Sequence, residues 1–154
     1  MPEPSLGSIF VAADRQQILT RLEALRPEAQ RQWGKMSAAQ MLAHCSIALE
    51  LPMDDATRRQ RLFGKLLAPF VRDKYLGDAP LPKGSPTDPK MVIGTPCDFT
   101  AEMSRLRAAV TRFVERGPQR AGESVHSFFG ALTGEQWGRL VYKHLDHHLR
   151  QFDL

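Results

Sequence analysis

The stretch Trp137-Gly-Arg-Leu-Val-Tyr-Lys-His144-Leu-Asp-His147-His148-Leu-Arg-Gln-Phe152 holds three of the five histidines in the chain, so it carries most of the imidazole chemistry available. On an α-helix each residue advances about 100°, so with Trp137 at zero, His148 falls near +20° and His144 near −20°. Leu140, Val141, Gln151 and Phe152 lie within about 60° of the same line. Arg139, Tyr142, Lys143, Asp146 and Arg150 fall on the far side, where solvent is expected. Two imidazoles therefore occupy the middle of a core-facing stripe. Each brings a donor and an acceptor that burial must satisfy. A metal ion bound by both rings would meet that need.

Outward from this stretch, the chain reads as helices separated by proline- and glycine-rich connections. Thr133-Gly-Glu-Gln136 is a capping box for the last helix, with Leu132 and Trp137 spaced as its hydrophobic staple. Ser37-Ala-Ala-Gln40 opens another helix in the same way, with Met36 and Met41 as the staple. The inward face of that helix is Gln40, Met41, His44, Ile47, Ala48 and Leu51, and Pro52 is expected to end it. Residues 1–13 read as a loose lead-in. Asp14 is placed to cap a first helix with Gln17 as its partner; Ile18, Leu19, Leu22 and Leu25 form the apolar stripe, which stops before Pro27.

Residues 56–75 predict a third helix. Leu62, Phe63, Leu66, Leu67, Phe70 and Val71 supply a core stripe, several arginines and lysines a solvated face, and Pro69 a kink or division. A basic amphipathic helix can also lie on a membrane, but a core stripe under a solvated face is the reading adopted here. Residues 76–97 form a long irregular crossover, a length usually associated with function or mobility. Asp98 caps a fourth helix with Phe99, Met103, Leu106, Val110, Phe113 and Val114 inward, ended by Gly117-Pro118. No strand pattern competes. The chain is all-α, and antiparallel amphipathic helices of this length make a bundle.

The 154 residues suit a single domain, 1–154. A net charge of +4 with no recognition motif gives no ground for a nucleic-acid partner. The first twenty residues lack a signal-peptide pattern, and no apolar run approaches a membrane span. Cys45 and Cys97 make no disulfide framework. A reduced, cytoplasmic protein with no membrane partner is expected.

His44 lies at the centre of its helical stripe as His144 and His148 do in theirs. Three neutral nitrogens from two packed helices suit a divalent metal with a position left open, zinc or nickel foremost and ferrous iron also acceptable. His126, just before the last helix, reads as a group orienting a metal ligand, as a catalytic acid or base near the site mouth, or as a loop histidine capping a backbone carbonyl. His147 is off the face, Cys45 a small core residue, and Trp33, Trp137 and Phe128 packing residues. Glu102 is a carboxylate that nothing in the sequence places at the site.

Two blocks resemble a family. Trp33-Gly-Lys-Met-Ser-Ala-Ala-Gln-Met-Leu-Ala-His44-Cys, and His126-Ser-Phe-Phe-Gly through Trp137 to Phe152, resemble a domain-of-unknown-function branch of the DinB/YfiT-like metalloenzymes. The resemblance extends over nearly the whole chain and is weakest through residues 52–97. It implies a four-helix bundle in up-down-down-up order, with a long crossover between the second and third core helices and an extra helical segment. It implies His44, His144 and His148 as the metal triad. Some members of that family are thiol-dependent transferases or isomerases. The branch commonly carries His-Pro where this chain has His126-Ser127. A metal-dependent enzyme acting on a small molecule is the expectation, with a low-molecular-weight thiol favoured by the resemblance. A hydrolase, a metal-binding or stress-response module without turnover, and a purely structural bundle stay open. A homodimer through an apolar helix face is a further expectation.

Overall fold

A computed structural model of the protein describes residues 7–54 and 59–154. It is mostly helical: α1 (Ala12–Ala24), α2 (Ala38–Met53), α3 (Leu62–Leu76), α4 (Phe99–Gly122) and α5 (Gly134–Gln151). Between α4 and α5 a small antiparallel hairpin pairs β1 (Val125–His126) with β2 (Gly130–Ala131), with Val125 opposite Ala131 and His126 opposite Gly130. Sequence pattern gave no sign of it, because each strand is only two residues long and turn-bound. The left-handed φ of Gly130 lets the chain turn back there.

Both capping boxes form. Ser37 Oγ accepts from the Gln40 N–H while the Gln40 side chain accepts from the Ser37 N–H, and Thr133 and Gln136 do the same. Each satisfies two helix-end donors and fixes where a histidine-bearing helix begins. Asp14 does not cap α1, which starts earlier, after Val11, without a side-chain cap. Its carboxylate instead accepts from the Ser8 N–H. Residues 1–6 of the lead-in lie outside the described residues; beyond them the segment is anchored, with Ile9 buried and its N–H donating to the Gly138 carbonyl.

The prolines interrupt less than expected. Pro52 sits in the last turn of α2, which runs on to Met53. Pro69 stays exposed within a continuous α3, on a side where the carbonyl it leaves free can meet water. Residues 56–58 of the predicted third helix lie outside the described residues. In α4 the chain does break at Gly117, at φ +77°, and a short helical turn follows through Pro118.

The predicted core stripe of α3 is reversed except at Val71, which is partly buried against the core. Leu62, Phe63, Leu66, Leu67 and Phe70 are exposed, Phe70 to 85%. Gly64 and Ala68 face inward instead. A side chain at Gly64 would collide with the backbone of Phe128, so α3 approaches the hairpin through its smallest residues. Arg72 reinforces this seat by donating to the Phe129 and Ala131 carbonyls.

The wheel for α5 also understates burial. Lys143 and Asp146, assigned to solvent, are buried. α1 and α3 both pack against α5, which covers flanks that a single stripe leaves open. The Lys143 ammonium donates to the Tyr75 and Gly77 carbonyls at 2.7 and 2.8 Å, the C-terminal end of α3. A cation there complements the helix dipole and satisfies carbonyls with no partner inside the helix. Asp146 accepts from Arg21 at 2.8 Å and Arg150 at 2.9 Å.

Lys143→Met keeps the aliphatic length but leaves both carbonyls unmet. It is expected to lower stability by roughly 2 kcal/mol or more. Urea unfolding followed by circular dichroism checks this, and an unchanged midpoint would show that water replaces the ammonium at no cost.

Candidate metal centre

α2 delivers His44, and α5 delivers His144 and His148 one turn apart. Nε2 of His44 lies 3.0 Å from Nε2 of His144, and Nε2 of His148 lies 3.2 Å from the same atom. All three ligand atoms lie within 4.8 Å of one another. The pairing of residues expected from their positions on the two helices is thus realised in space.

Their protonation follows from their outer nitrogens. His44 Nδ1 is 2.8 Å from the Met91 carbonyl, which can only accept, so Nδ1 carries the proton and Nε2 presents a lone pair. His148 Nδ1 is 2.9 Å from Gln151 Oε1. The Gln151 amide nitrogen donates to the Trp33 carbonyl at 2.9 Å, which turns its oxygen toward the ring. His148 Nε2 therefore also presents a lone pair. Both face one His144 nitrogen, and a single N–H there can point at only one of them. The cluster thus holds more acceptors than donors in a buried place, where an unmet polar atom is costly.

A cation held by the three rings would resolve the imbalance. Ligand nitrogens about 2.05 Å from a tetrahedral zinc lie about 3.3 Å apart, near the two spacings observed. The three histidines are compatible with a metal site in donor type and spacing, and His44 and His148 in tautomer as well. Hydrogen bonds from the outer nitrogens to a carbonyl and an amide are the usual means of orienting metal-binding imidazoles.

Burial and the neighbouring imidazoles disfavour protonation of the cluster. Burial holds His44 below its ordinary value, and burial followed by the neighbouring imidazoles holds His144 well below it. Burial, then His44, brings His148 down to about 3.

The crossover contributes directly. Its 3-10 turn, Pro89–Met91, places the Met91 carbonyl on His44, and Asp88 caps that turn by accepting from the Lys90 N–H. The connection between α1 and α2 contributes the Trp33 carbonyl, and the Gln32 N–H donates to the Gln151 backbone at 2.7 Å. Gly34 adopts φ +80°, and a Cβ there would stand 2.5 Å from Gln151 Nε2. Sequence reasoning put Gln151 on the inward face but gave it no task. Its position three residues after His148, on the same face, was the available signal. The Met91 carbonyl had none, because any residue type supplies one.

The histidines open onto a cavity of about 1330 Å³ between α2, α3, α5, the hairpin and the crossover. Trp33, Trp137 and Phe128, read as packing residues, also line it. Lys83 stands over the Trp33 ring at 4.1 Å. His126 lines the same cavity, but its Nδ1 accepts from the Phe128 and Phe129 N–H groups at 3.0 and 3.1 Å. It holds the hairpin turn by accepting amides, where a loop histidine was expected to cap a carbonyl. Burial lowers its pKa to about 4, with Asp88 opposing. His147 is outside the triad, edge-on to Trp33 and hydrogen-bonded to the Leu81 backbone. Cys45 is buried in the core, where burial pushes its thiol pKa up. Glu102 pairs with Arg105 at 3.3 Å and does not line the cavity.

Fold and site together define a helical protein with a largely buried three-histidine cluster lining a large, mostly apolar cavity. Residues 11–153 match the family described as "Protein of unknown function (DUF1569)", and the chain belongs to that family. Neither the curated proteins nor the solved structures offer a match. Among the described residues, no helix is long and apolar enough to cross a membrane.

Because the folded-state pKa values of the histidines are depressed, the unfolded chain takes up protons first as pH falls. Their contribution to stability is fully present above the unfolded value of about 6.5. It is lost progressively below that, through about 3 for His148. Metal-free protein should therefore lose stability on going from about pH 7 to pH 4. The loss should be steeper than in a His44→Gln/His148→Gln double variant. Denaturant titrations across this window test it, and equal slopes in the two proteins would count against burial as the cause.

Proposed function

We propose that the protein is a metal-dependent enzyme in which His44, His144 and His148 hold a divalent ion, zinc or nickel foremost, for chemistry on a small molecule in the adjoining cavity. The observation that carries this reading is the convergence of two fixed Nε2 lone pairs on a third imidazole nitrogen, beside a space large enough for a substrate. We place the chain in the DinB/YfiT-like group on the same triad. We also read α1, α2, α4 and α5 as its up-down-down-up bundle. The packing of α2 on α4 and of α5 on α1, α2 and α4 supports this arrangement, with α3 as the extra segment of the long crossover.

When bound, the ion supplies Lewis acidity that makes a thiol or a water at its open position more acidic. The chain's own residues do the rest. Met91 and Gln151 hold the ring tautomers, and the apolar walls limit water at the site. The Nδ1 of His126 is committed to two amides, so its exchangeable proton is on Nε2. Any acid role would use that proton. The reading favoured here is transfer of a low-molecular-weight thiol to an electrophile, a preference that rests on the family resemblance. Hydrolysis is the second reading, since three neutral ligands equally suit an ion that activates water. A binding module without turnover would hold the metal but leave both substrates unchanged.

Protein purified without a metal-affinity tag should contain close to one equivalent of metal by elemental analysis. Alanine at His44, His144 or His148 should cost more than the roughly 10–100-fold in affinity typical of changes to orienting groups, and Gln151→Leu should fall within that range. His147→Ala and His126→Ala should retain the metal. Loss in His147→Ala with retention in His144→Ala would refute the assignment.

The metal-loaded protein should also conjugate a cellular thiol to a generic electrophile faster than the metal-free form. Equal rates across a panel of thiols would remove the transferase reading and leave hydrolysis or binding.

A further inference from the structure

α3 divides its large apolar side chains: Phe63, Leu67, Phe70 and Val71 line the histidine cavity, while Leu62 and Leu66 do not and stand exposed. With about 100° per residue, Leu66, Phe70, Pro69, Asp73 and Lys65 all lie within about 80° of Leu62. Leu62, Leu66 and Phe70 are 73%, 63% and 85% exposed. A contiguous apolar face of this kind marks a surface that something covers.

The charges on the face choose among occupants. Arg61 is paired with Asp88, and Arg72 is drawn inward to the hairpin carbonyls. Lys65 and Asp73 have no ion-pair partner among the described residues, and both are exposed. They stand on either side of Pro69, four residues before it and four after. An antiparallel pair of α3 helices crossing at Pro69 would therefore set Lys65 of each copy opposite Asp73 of the other. Leu66 would lie between the two ion pairs, and Leu62 just outside them, three residues beyond Lys65. An isologous contact needs this self-complementarity. An anionic lipid surface does not fit as well, because Asp73 lies on the face that would meet it. The expectation of no membrane partner rested on a buried stripe in α3, and most of that stripe is exposed.

We infer that α3 is the interface of a two-fold homodimer, seated on Leu62 and Leu66 and registered by two Lys65–Asp73 ion pairs. Phe70, at the edge of this seam, lines the histidine cavity. A second copy would cover part of the cavity's exposed wall.

The oligomeric state tests this independently of the metal. Sedimentation velocity over a concentration series should show a dimer for the wild type. Leu66 does not line the cavity, so Leu66→Asp should give a folded monomer by circular dichroism that keeps whatever metal the wild type holds. Lys65→Asp and Asp73→Lys should each weaken the dimer by at least about tenfold, because each sets like charges opposite one another twice. The double variant should recover most of that loss. A monomeric wild type, a dimer that survives Leu66→Asp, or a double variant no tighter than the single variants would each overturn the proposal. So would a monomeric wild type that co-sediments with phosphatidylserine vesicles, which would assign the face to lipid.

Discussion

The site depends on two hydrogen bonds made on the far side of two rings. The Met91 carbonyl and the Gln151 amide oxygen take the Nδ1 protons of His44 and His148. Their geometry decides which nitrogen of each ring carries a lone pair and where it points. Without them each neutral imidazole could place its proton on either nitrogen, and the cluster could settle as ordinary hydrogen-bonded histidines. With them the inner nitrogens can only accept. Much of the surrounding architecture serves these two contacts: the capped 3-10 turn behind His44, and the connection that receives Gln151.

α5 carries this burden because it is covered on more than one side. Its histidine face meets α2, Asp146 meets Arg21 from α1, and Lys143 closes the end of α3. A helix held along several flanks cannot rotate easily, and rotation is the motion that would separate His144 and His148 from His44. The buried lysine and aspartate thus bear on the histidine cluster although neither touches it.

What the sequence made legible was local or periodic. The capping boxes at Ser37 and Thr133 are read within four residues, and both formed as expected. The central position of His44, His144 and His148 on their stripes is a matter of phase, and phase brought the rings together. Phase failed for α3, because a helix carrying both a large apolar stripe and the small pair Gly64 and Ala68 has two faces able to pack. Close approach to the Phe128 backbone selected the small one. It failed for Lys143 and Asp146 because a wheel assumes one packing neighbour, whereas α5 has several. The role of the crossover was hidden for another reason: its contribution is a backbone carbonyl, which every residue has.

The link from Gln151 to the connection before α2 has a consequence for how the site can vary. Gln151 is gripped by the Trp33 carbonyl and the Gln32 amide, and the absence of a side chain at Gly34 leaves it room. Trp33 and Gly34 also line the cavity. A molecule pressing on Trp33 therefore pushes on a segment whose carbonyl sets the angle of an imidazole in the cluster. Occupancy of the cavity and basicity of the inward-facing His148 nitrogen become mechanically linked variables. For protein engineering, this makes the Gln32–Gly34 segment a dial: substitutions there can retune the donor strength of His148 while every ligand keeps its identity.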